Sequence, residues 1–181
     1  MELKEVIQTR RSIRKFKSDE LSEEMINQMI EAMMLAPSAK NRQPWRVVVL
    51  KGKKKDDVAD IMLNALEDEE FDLPGYANSS KYSALVMKQA PVVFLVLREK
   101  DDLWMYEDLI SIGAAIEHIC LTATSLDLGS LWIRDTIYTQ NRILDYIGYP
   151  ELDLVSAIAV GYPDENPKAR PRMKKEEIVL I

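Results

Sequence analysis

Two dense polar clusters lie within the first 45 residues and flank one amphipathic segment. The first is Arg10-Arg11-Ser12-Ile13-Arg14, and the second runs over residues 36–45 as Ala-Pro-Ser-Ala-Lys-Asn-Arg-Gln-Pro-Trp. Three guanidinium groups and a hydroxyl within five residues can hold a doubly charged anion such as a phosphate, because arginine donates forked, charge-assisted hydrogen bonds. The second cluster offers short polar side chains and free backbone N–H groups, which can hydrogen-bond the edge of a flat heterocycle. Together the clusters indicate a site for a phosphorylated aromatic cofactor.

The same residues carry a resemblance to a known family. The chain resembles the nitroreductase family of FMN-dependent oxidoreductases, whose N-terminus has Arg-x-Ser-x-Arg/Lys, a helix, and then Pro-Ser-x-x-Asn-x-Gln-Pro-Trp. Residues 126–133, Leu-Asp-Leu-Gly-Ser-Leu-Trp-Ile, are similar to the family's Gly-Leu-Gly-Ser/Thr-x-Trp turn. Residues 161–172 are similar to its C-terminal Gly-Tyr-Pro…Lys-x-Arg tail. The four segments occur in the family's order between residue 7 and about residue 177.

The resemblance implies a role for each segment in binding FMN. The first cluster and the C-terminal tail would hold the phosphate, and spacing does not decide which two of the three tail cations reach it. The second cluster would reach the flavin of the other subunit. The turn at residues 128–130 would place backbone N–H groups near flavin N5 and O4, where hydrogen bonds tune the cofactor. The implied cofactor-binding residues are Arg10, Arg11, Ser12, Arg14, Pro37, Ser38, Ala39, Asn41, Gln43, Leu128, Gly129, Ser130, Lys168, Arg170 and Arg172.

Some positions depart from the family pattern. Asp127 stands where glycine is usual. The polar–cation pair by which the family stabilises reduced flavin is absent, because its positions hold Ser83 and Val86, and Lys81 or Lys88 is left as a substitute. The only histidine, His118, and the only cysteine, Cys120, lie two residues apart in a predicted helix, so they point to different faces. With one histidine, the chain lacks the residues for a His-rich metal site or a Ser-His-Asp triad. We predict no metal and no catalytic side chain, with the chemistry at flavin N5.

The spacing of apolar residues predicts the elements that position these clusters. Residues 51–57 are predicted to form a charged turn. Residues 67–80 are predicted to form an acidic loop that contains proline and glycine, and the resemblance implies that this loop selects the substrate. The strand at 46–50 is expected to be buried because it is rich in β-branched residues. The predicted helices cover 3–7, 22–36, 58–66, 107–125 and 141–147, and the predicted strands cover 46–50, 91–97, 129–133 and 154–160.

The order of these elements bears on the fold class. The sequence shows no repeat, low-complexity tract or linker, so we predict one domain over residues 1–181. A Rossmann sheet is not predicted, because no Gly-x-Gly-x-x-Gly follows the first strand and the phosphate candidates precede it. The resemblance instead implies an α+β nitroreductase-like fold. In that fold a mixed, mostly antiparallel central sheet is surrounded by helices, and two chains form an intertwined homodimer.

Composition narrows the class of protein further. The chain has 30 acidic and 24 basic residues and a formal net charge of −6, which argues against a general nucleic-acid surface. Residues 1–55 hold 13 of the basic residues, so positive charge collects where the anion-binding candidates lie. One cysteine excludes a disulfide within the chain and fits a reducing compartment. The start shows no signal peptide, and the longest apolar run, residues 90–97, is shorter than the ~20 residues of a membrane span. We expect a cytoplasmic protein with no membrane partner.

The predicted activity follows from the resemblance. A homodimer with FMN at its interface would take hydride from NADH or NADPH at N5, release the nicotinamide, and then reduce an electron-poor acceptor such as a nitroaromatic or quinone. This order of binding and release is a ping-pong mechanism. Three alternatives remain open: a specialised enzyme on the same fold, such as a dehalogenase or other reductase; a flavin-binding redox sensor or reservoir without efficient turnover; and a domain whose basic N-terminal arm binds nucleic acid.

Overall fold

A four-stranded sheet forms the centre of the computed structural model, which describes residues 1–68 and 78–180. Its strands lie in the order β1-β2-β4-β3, and every neighbouring pair is antiparallel. The isolated bridge between Ser12 and Ser130 is parallel. The strands are β1 (Trp45–Lys51), β2 (Val92–Glu99), β3 (Gly129–Ile133) and β4 (Leu152–Gly161).

Helices cover both faces of the sheet. The described residues include α1 (Leu3–Thr9), α2 (Glu23–Met34), α3 (Gly52–Ala65), α4 (Asn78–Gln89), α5 (Met105–Ser125), α6 (Gln140–Ile147) and α7 (Lys175–Ile178). Ser22 caps α2, because its Oγ accepts a hydrogen bond from the Met25 N–H at 3.2 Å. Over the described part of the chain, no helix is both long and apolar enough to cross a membrane.

The core consists of one hydrophobic cluster on each face of the sheet. Met62, Met87 and Ile143, from α3, α4 and α6, pack against one face, and α2 and α5 cover the other. Phe94 and Leu95 are neighbours on β2 and enter opposite clusters, as the period of two in a strand requires. Because both faces are covered, β2 is apolar at every position from Val92 to Leu97 instead of alternating.

The predicted α+β class with an antiparallel sheet inside a layer of helices is confirmed, but three local predictions were wrong. The charged turn at 51–57 is the start of α3, where Lys55 is buried and its ammonium donates to the Lys88 carbonyl at 2.7 Å. The strand at 46–50 is an edge strand and only half-buried over Val47–Val49. The predicted loop at 67–80 includes residues 78–80, which are helical in α4, and its residues 69–77 lie outside the described part of the chain.

The close approach of residue 161 to its neighbours generates a test of the packing. A Cβ atom on Gly161 would lie 2.5 Å from Pro91 Cδ and 3.1 Å from Phe16 Cδ1, and the proline ring cannot turn away. We expect Gly161→Ala to lower the free energy of unfolding by about 1–3 kcal/mol. Urea denaturation would measure this change in the free energy of unfolding.

The matched control is Gly113→Ala, within α5. There the added Cβ meets only Trp132, at 3.9 Å, an ordinary contact. Alanine in a helix interior is better than glycine by about 0.5–1 kcal/mol, so this variant should be slightly more stable. Equal stability of the two variants would contradict the packing described here.

Candidate functional site

The N-terminal basic cluster lies on a strap, residues 10–17, that crosses the edge of the sheet. The Ile13 N–H donates to the Ser130 carbonyl and the Lys17 N–H to the Tyr162 carbonyl, both at 2.9 Å. Ile13 and Phe16 turn inward and are buried, while the polar residues between them face outward. Ser12 and Arg14, on either side of buried Ile13, are exposed on the solvent side of the strap.

The C-terminal tail joins this strap to form what we call the basic cavity, of about 200 Å³. A backbone bond from Asp164 to the Lys15 carbonyl, 2.9 Å long, anchors the start of the tail, and the Arg14 N–H donates to the Glu165 side chain. The tail then runs without helix or strand through two prolines. The cavity is lined by Arg10, Arg11, Ser12, Arg14, Pro167, Lys168, Arg170 and Arg172.

All seven predicted phosphate residues thus meet in one place, although up to about 160 residues separate them in the sequence. The three tail cations all line the cavity, so none is set apart by its position. Arg10 is also 3.3 Å from the carboxylate of Glu117 on α5, and Arg11 donates to backbone carbonyls of its own segment. Six cations and a hydroxyl form a donor set suited to a dianionic phosphate.

The second predicted cluster forms a tight loop between α2 and β1. Lys40, Asn41 and Gln43 all have φ between 49° and 56°, in the left-handed region. Ser38 holds the turn together, since its Oγ accepts from the Gln43 N–H and its carbonyl from the Asn41 N–H, each at 3.0 Å. Within the described chain, Pro37, Ser38, Ala39, Asn41 and Gln43 are not among the residues that line the basic cavity.

Arg42, which the sequence analysis did not single out, connects this loop to α5. Its Nε donates to Asp108 Oδ1 at 3.0 Å and its Nη2 to Asp108 Oδ2 at 3.3 Å. A further bond of 3.0 Å runs to Asp101. The hydrogen bond with Asp108 is the main cause of a raised pKa for Arg42.

A second cavity, which we call the Trp132 cavity, shares Arg14 with the basic cavity and has a volume of about 290 Å³. Trp132 is 45% exposed on a strand that is otherwise buried. Ser83 and Val86 come from α4, and the Ser83 hydroxyl donates to Asp135 Oδ2 at 2.6 Å. The sequence analysis placed its ring-edge prediction at residues 128–130 and assigned no site role to residues 132–135, because the exposure of Trp132 and its α4 neighbours are visible only in the structure.

Neither the basic cavity nor the Trp132 cavity is lined by the turn at Leu128, Gly129 and Ser130. Leu128 and Gly129 line a cavity that includes Arg10 and Arg11 but not Arg14, and Ser130 is buried. A Cβ on Gly129 would lie 2.7 Å from Ile13, so glycine at this position is required for the strap to lie flat on β3. The role of these three residues at the ring edge stays a prediction.

The two remaining candidates for chemistry are occupied in packing. His118 Nδ1 is 2.8 Å from the Ala32 carbonyl, a contact that joins α5 to α2. Cys120 is buried, and burial raises the pKa of its thiol from the ordinary 9.0 to about 11, against a lowering effect of the hydrogen bond with Ser130. Among the described residues, no group of three or more His, Cys, Asp or Glu side chains is placed to hold a metal ion.

Comparison with known proteins agrees with these features. The model of the nitroreductase family matches residues 7–162. A relative from Methanothermobacter thermautotrophicus, provisionally named NADH dehydrogenase/NAD(P)H nitroreductase, is 31% identical over 99% of this chain and 87% of its own length.

Two solved structures extend this comparison. One is a provisionally named nitroreductase from Desulfovibrio desulfuricans in complex with FMN, 26% identical over 100% of this chain and 96% of the other, with a TM-score of 0.80. The other is a BluB-like flavoprotein from Clostridium difficile 630, 27% identical over 100% and 99%, also with a TM-score of 0.80. Fold and site thus define a protein with a cavity lined by cations at the edge of an antiparallel α+β sheet. The chain belongs to the nitroreductase family.

The buried thiol gives a test of the packing behind the strap. Because the thiol pKa in the folded protein is about 11, Cys120 stays protonated and enclosed at pH 8. We expect no reaction with Ellman's reagent in the native protein and one thiol per chain in guanidinium chloride. The same shift should make the folded state less stable as the pH rises from about 8.5 towards 11, because the unfolded thiol ionises first. Rapid reaction of the native protein would contradict this placement.

Proposed function

We propose that this chain is an FMN-dependent NAD(P)H oxidoreductase that reduces nitroaromatic, quinone or similar electron-poor acceptors by a ping-pong mechanism. It would act in the cytoplasm as a homodimer of one domain per chain, residues 1–181. The observation that carries the proposal is the basic cavity, where six cations and a hydroxyl surround a space suited to one phosphate. Support for the cofactor and the nicotinamide comes from the Desulfovibrio desulfuricans structure, which contains FMN, and from the name of the Methanothermobacter relative.

The residues of the basic cavity fit the phosphate of FMN. Arg10 and Arg14 lie on either side of Ser12 at the end of a pinned strap, so their forked donors converge with little loss of freedom. Arg10 pairs with Glu117, which is 42% exposed, and such a partly solvated pair is weak enough for a phosphate to compete with it. Lys168, Arg170 and Arg172 would close the opposite side.

The Trp132 cavity is suited to the flat part of the same ligand because it begins at Arg14, where the basic cavity ends. When bound, FMN supplies the redox chemistry, accepting hydride from NAD(P)H and passing the electrons to an acceptor that follows the nicotinamide. The residues of the chain bind and orient: Trp132 and Tyr82 offer apolar walls for planar molecules, and Ser83 holds the Asp135 carboxylate. Leu128, Gly129 and Ser130 are proposed, as in the family, to hydrogen-bond near the ring edge.

Exposed apolar side chains support the homodimer. On α1, Leu3 and Ile7 face solvent although they share a helix face with buried Val6, and α1 packs on α5. On α5, Tyr106 and Ile110 are likewise exposed. A second copy of the chain covering this surface would bring the Pro37–Gln43 loop of one subunit to the flavin of the other. That arrangement explains why the loop and the basic cavity do not meet within one chain.

The dimer can be tested by placing a charge on this surface. Ile110 is 58% exposed in the single chain, so Ile110→Glu leaves the core of each chain unchanged but buries a carboxylate if a partner covers α5. We expect a monomer in light scattering after gel filtration, with loss of FMN. Tyr149→Glu, at an exposed tyrosine outside this helical surface, should stay dimeric and flavin-bound. A dimeric Ile110→Glu variant would show that another surface forms the interface.

The cofactor assignment is tested first by the absorption spectrum of the protein after addition of FMN and removal of the excess. Bound oxidised flavin that bleaches anaerobically with NADH or NADPH, followed by turnover with menadione or nitrofurazone, is the expected result. Flavin that binds but does not turn over would instead favour a specialised enzyme or a redox sensor. A colourless protein whose nucleic-acid binding weakens steeply with salt would exclude the proposal.

The phosphate residues are tested by removing two of the cations. We expect Arg10→Ala/Arg14→Ala to weaken FMN binding by roughly a hundredfold or more, because each charge-assisted bond contributes about 1.5–3 kcal/mol. Quenching of FMN fluorescence on titration measures the affinity, and the unfolding midpoint reports on the fold. Lys53→Gln/Lys54→Gln removes two exposed charges on α3 and should bind FMN normally. Stoichiometric FMN in the Arg10/Arg14 variant would refute the phosphate assignment.

A further inference from the structure

We infer that Arg42 is a positioning residue for flavin binding: forked onto the buried carboxylate of Asp108, it holds the Pro37–Gln43 loop in the shape that presents Ser38 and Asn41 to FMN. The inference rests on the proposed function, because the loop needs a defined shape only if it contacts a ligand. It also extends that function to a residue at a variable position of the Pro-Ser-x-x-Asn-x-Gln-Pro-Trp motif.

The backbone of the loop needs support from outside itself. Lys40, Asn41 and Gln43 occupy the left-handed region, which is unfavourable for residues other than glycine. The internal bonds of the loop are short-range: Asn41 to the Ser38 carbonyl, Arg42 to the Ala39 carbonyl, and Gln43 to the Ser38 hydroxyl. Such local bonds join residues that are already neighbours and do not orient the loop relative to the rest of the protein.

Two sets of contacts with α5 orient it, and Arg42 Nη2 also donates to Asp101, which precedes that helix. The backbone N–H of Ala39 donates to Ser111 Oγ at 3.3 Å, and Ser111 in turn donates to the Glu107 carbonyl. Arg42 supplies the stronger contact, with two parallel bonds of 3.0 and 3.3 Å to Asp108. A forked pair fixes both the distance and the plane of the guanidinium, so it restricts the loop more than a single hydrogen bond can.

Asp108 is itself held in place. Its side chain is 1% exposed and lies in the first turn of α5, where the helix dipole favours a negative charge. On its other side is the equally buried Arg98, 3.9 Å away, which is fixed by an ion pair with Asp153. The carboxylate against which Arg42 forks is therefore a rigid point of the protein core.

Trp104 completes the attachment. The guanidinium carbon of Arg42 lies 4.7 Å from the centre of its ring, and Lys40 Nζ lies 5.1 Å from the same centre. The planar guanidinium can stack on the ring and fork to Asp108 at once, whereas a lysine ammonium is a point charge that cannot do both. Arginine is thus the side chain that satisfies both constraints.

The test compares Arg42→Gln and Arg42→Lys with the wild-type protein and with Lys53→Gln, which breaks an exposed ion pair with Asp57 far from the loop. The first measurement is the rate at which endoproteinase Lys-C cuts after the exposed Lys40 in protein without FMN. The others are the affinity for FMN, the visible circular dichroism of the flavin at saturating FMN, and the unfolding midpoint.

We expect Arg42→Gln to be cut after Lys40 at least about fivefold faster, because the loop opens more often. FMN binding should weaken roughly tenfold, the loss expected when a charge-assisted contact no longer orders the loop. The dichroism of bound flavin should change at saturating FMN, and the unfolding midpoint should fall somewhat, because Asp108 keeps Arg98 but loses Arg42 as a partner. In FMN affinity and dichroism Arg42→Lys should lie between Arg42→Gln and wild type; it is left out of the cleavage assay because it adds a Lys-C site, and Lys53→Gln should match wild type in every measurement.

The outcomes separate the inference from the proposed function. If wild-type protein binds FMN and Arg42→Gln binds it equally well with the same dichroism, the inference is refuted and the proposed function stands. Faster cleavage with unchanged FMN binding would likewise refute it, since the loop would then be held by Arg42 for another purpose. If wild-type protein itself does not bind FMN, the proposed function fails first and the inference fails with it.

Discussion

Ile13 lies so close to Gly129 that a single carbon atom on residue 129 would meet its side chain at 2.7 Å. This contact, together with the bond from the Ile13 N–H to the Ser130 carbonyl, sets the height at which the strap crosses β3. Phe16 repeats the arrangement against Gly161 and Pro163. Arg14 and Lys15, between these two buried residues, face outward, and Arg14 lines the basic cavity.

The charge distribution of the chain makes the basic cavity attractive to anions. The chain as a whole is acidic, yet the walls of one small cavity carry six cations from its two ends. Positive groups held together on an otherwise negative protein concentrate the field at one place, so anions are attracted to the cavity instead of to the surface at large. The acid nearest to it on α5, Glu117, limits repulsion by pairing with Arg10.

Much of this structure could be predicted from the sequence because the signals were local. Apolar spacing located α2 and α5, and the first and last of the four motifs indicated the residues that gather in the basic cavity. What failed depended on tertiary context. The lysines at the start of α3 are typical of a turn, but Lys55 is buried and donates to the Lys88 carbonyl, and α4 is on average more polar than α5.

The site also contained residues whose importance no local pattern shows. Arg42 matters through Asp108, 66 residues away, and Trp132 through a cavity whose other wall is α4. A strand with one exposed tryptophan is compatible with a surface position, a core anchor or a ligand wall, and only the neighbours decide among them. Pairing of charges across such distances has no signature in a single sequence.

The basic cavity joins segments that begin about ten residues from either end of the chain. Terminal segments normally open and close more readily than the core. A dianion bound between residues 10–14 and 168–172 would therefore link the pinned strap to the tail, which there has neither helix nor strand, and its binding energy would add to stability by mass action. Hydrogen exchange at both termini would slow together as ligand is added, so the occupancy of one small cavity would set the lifetime of the whole fold against proteases.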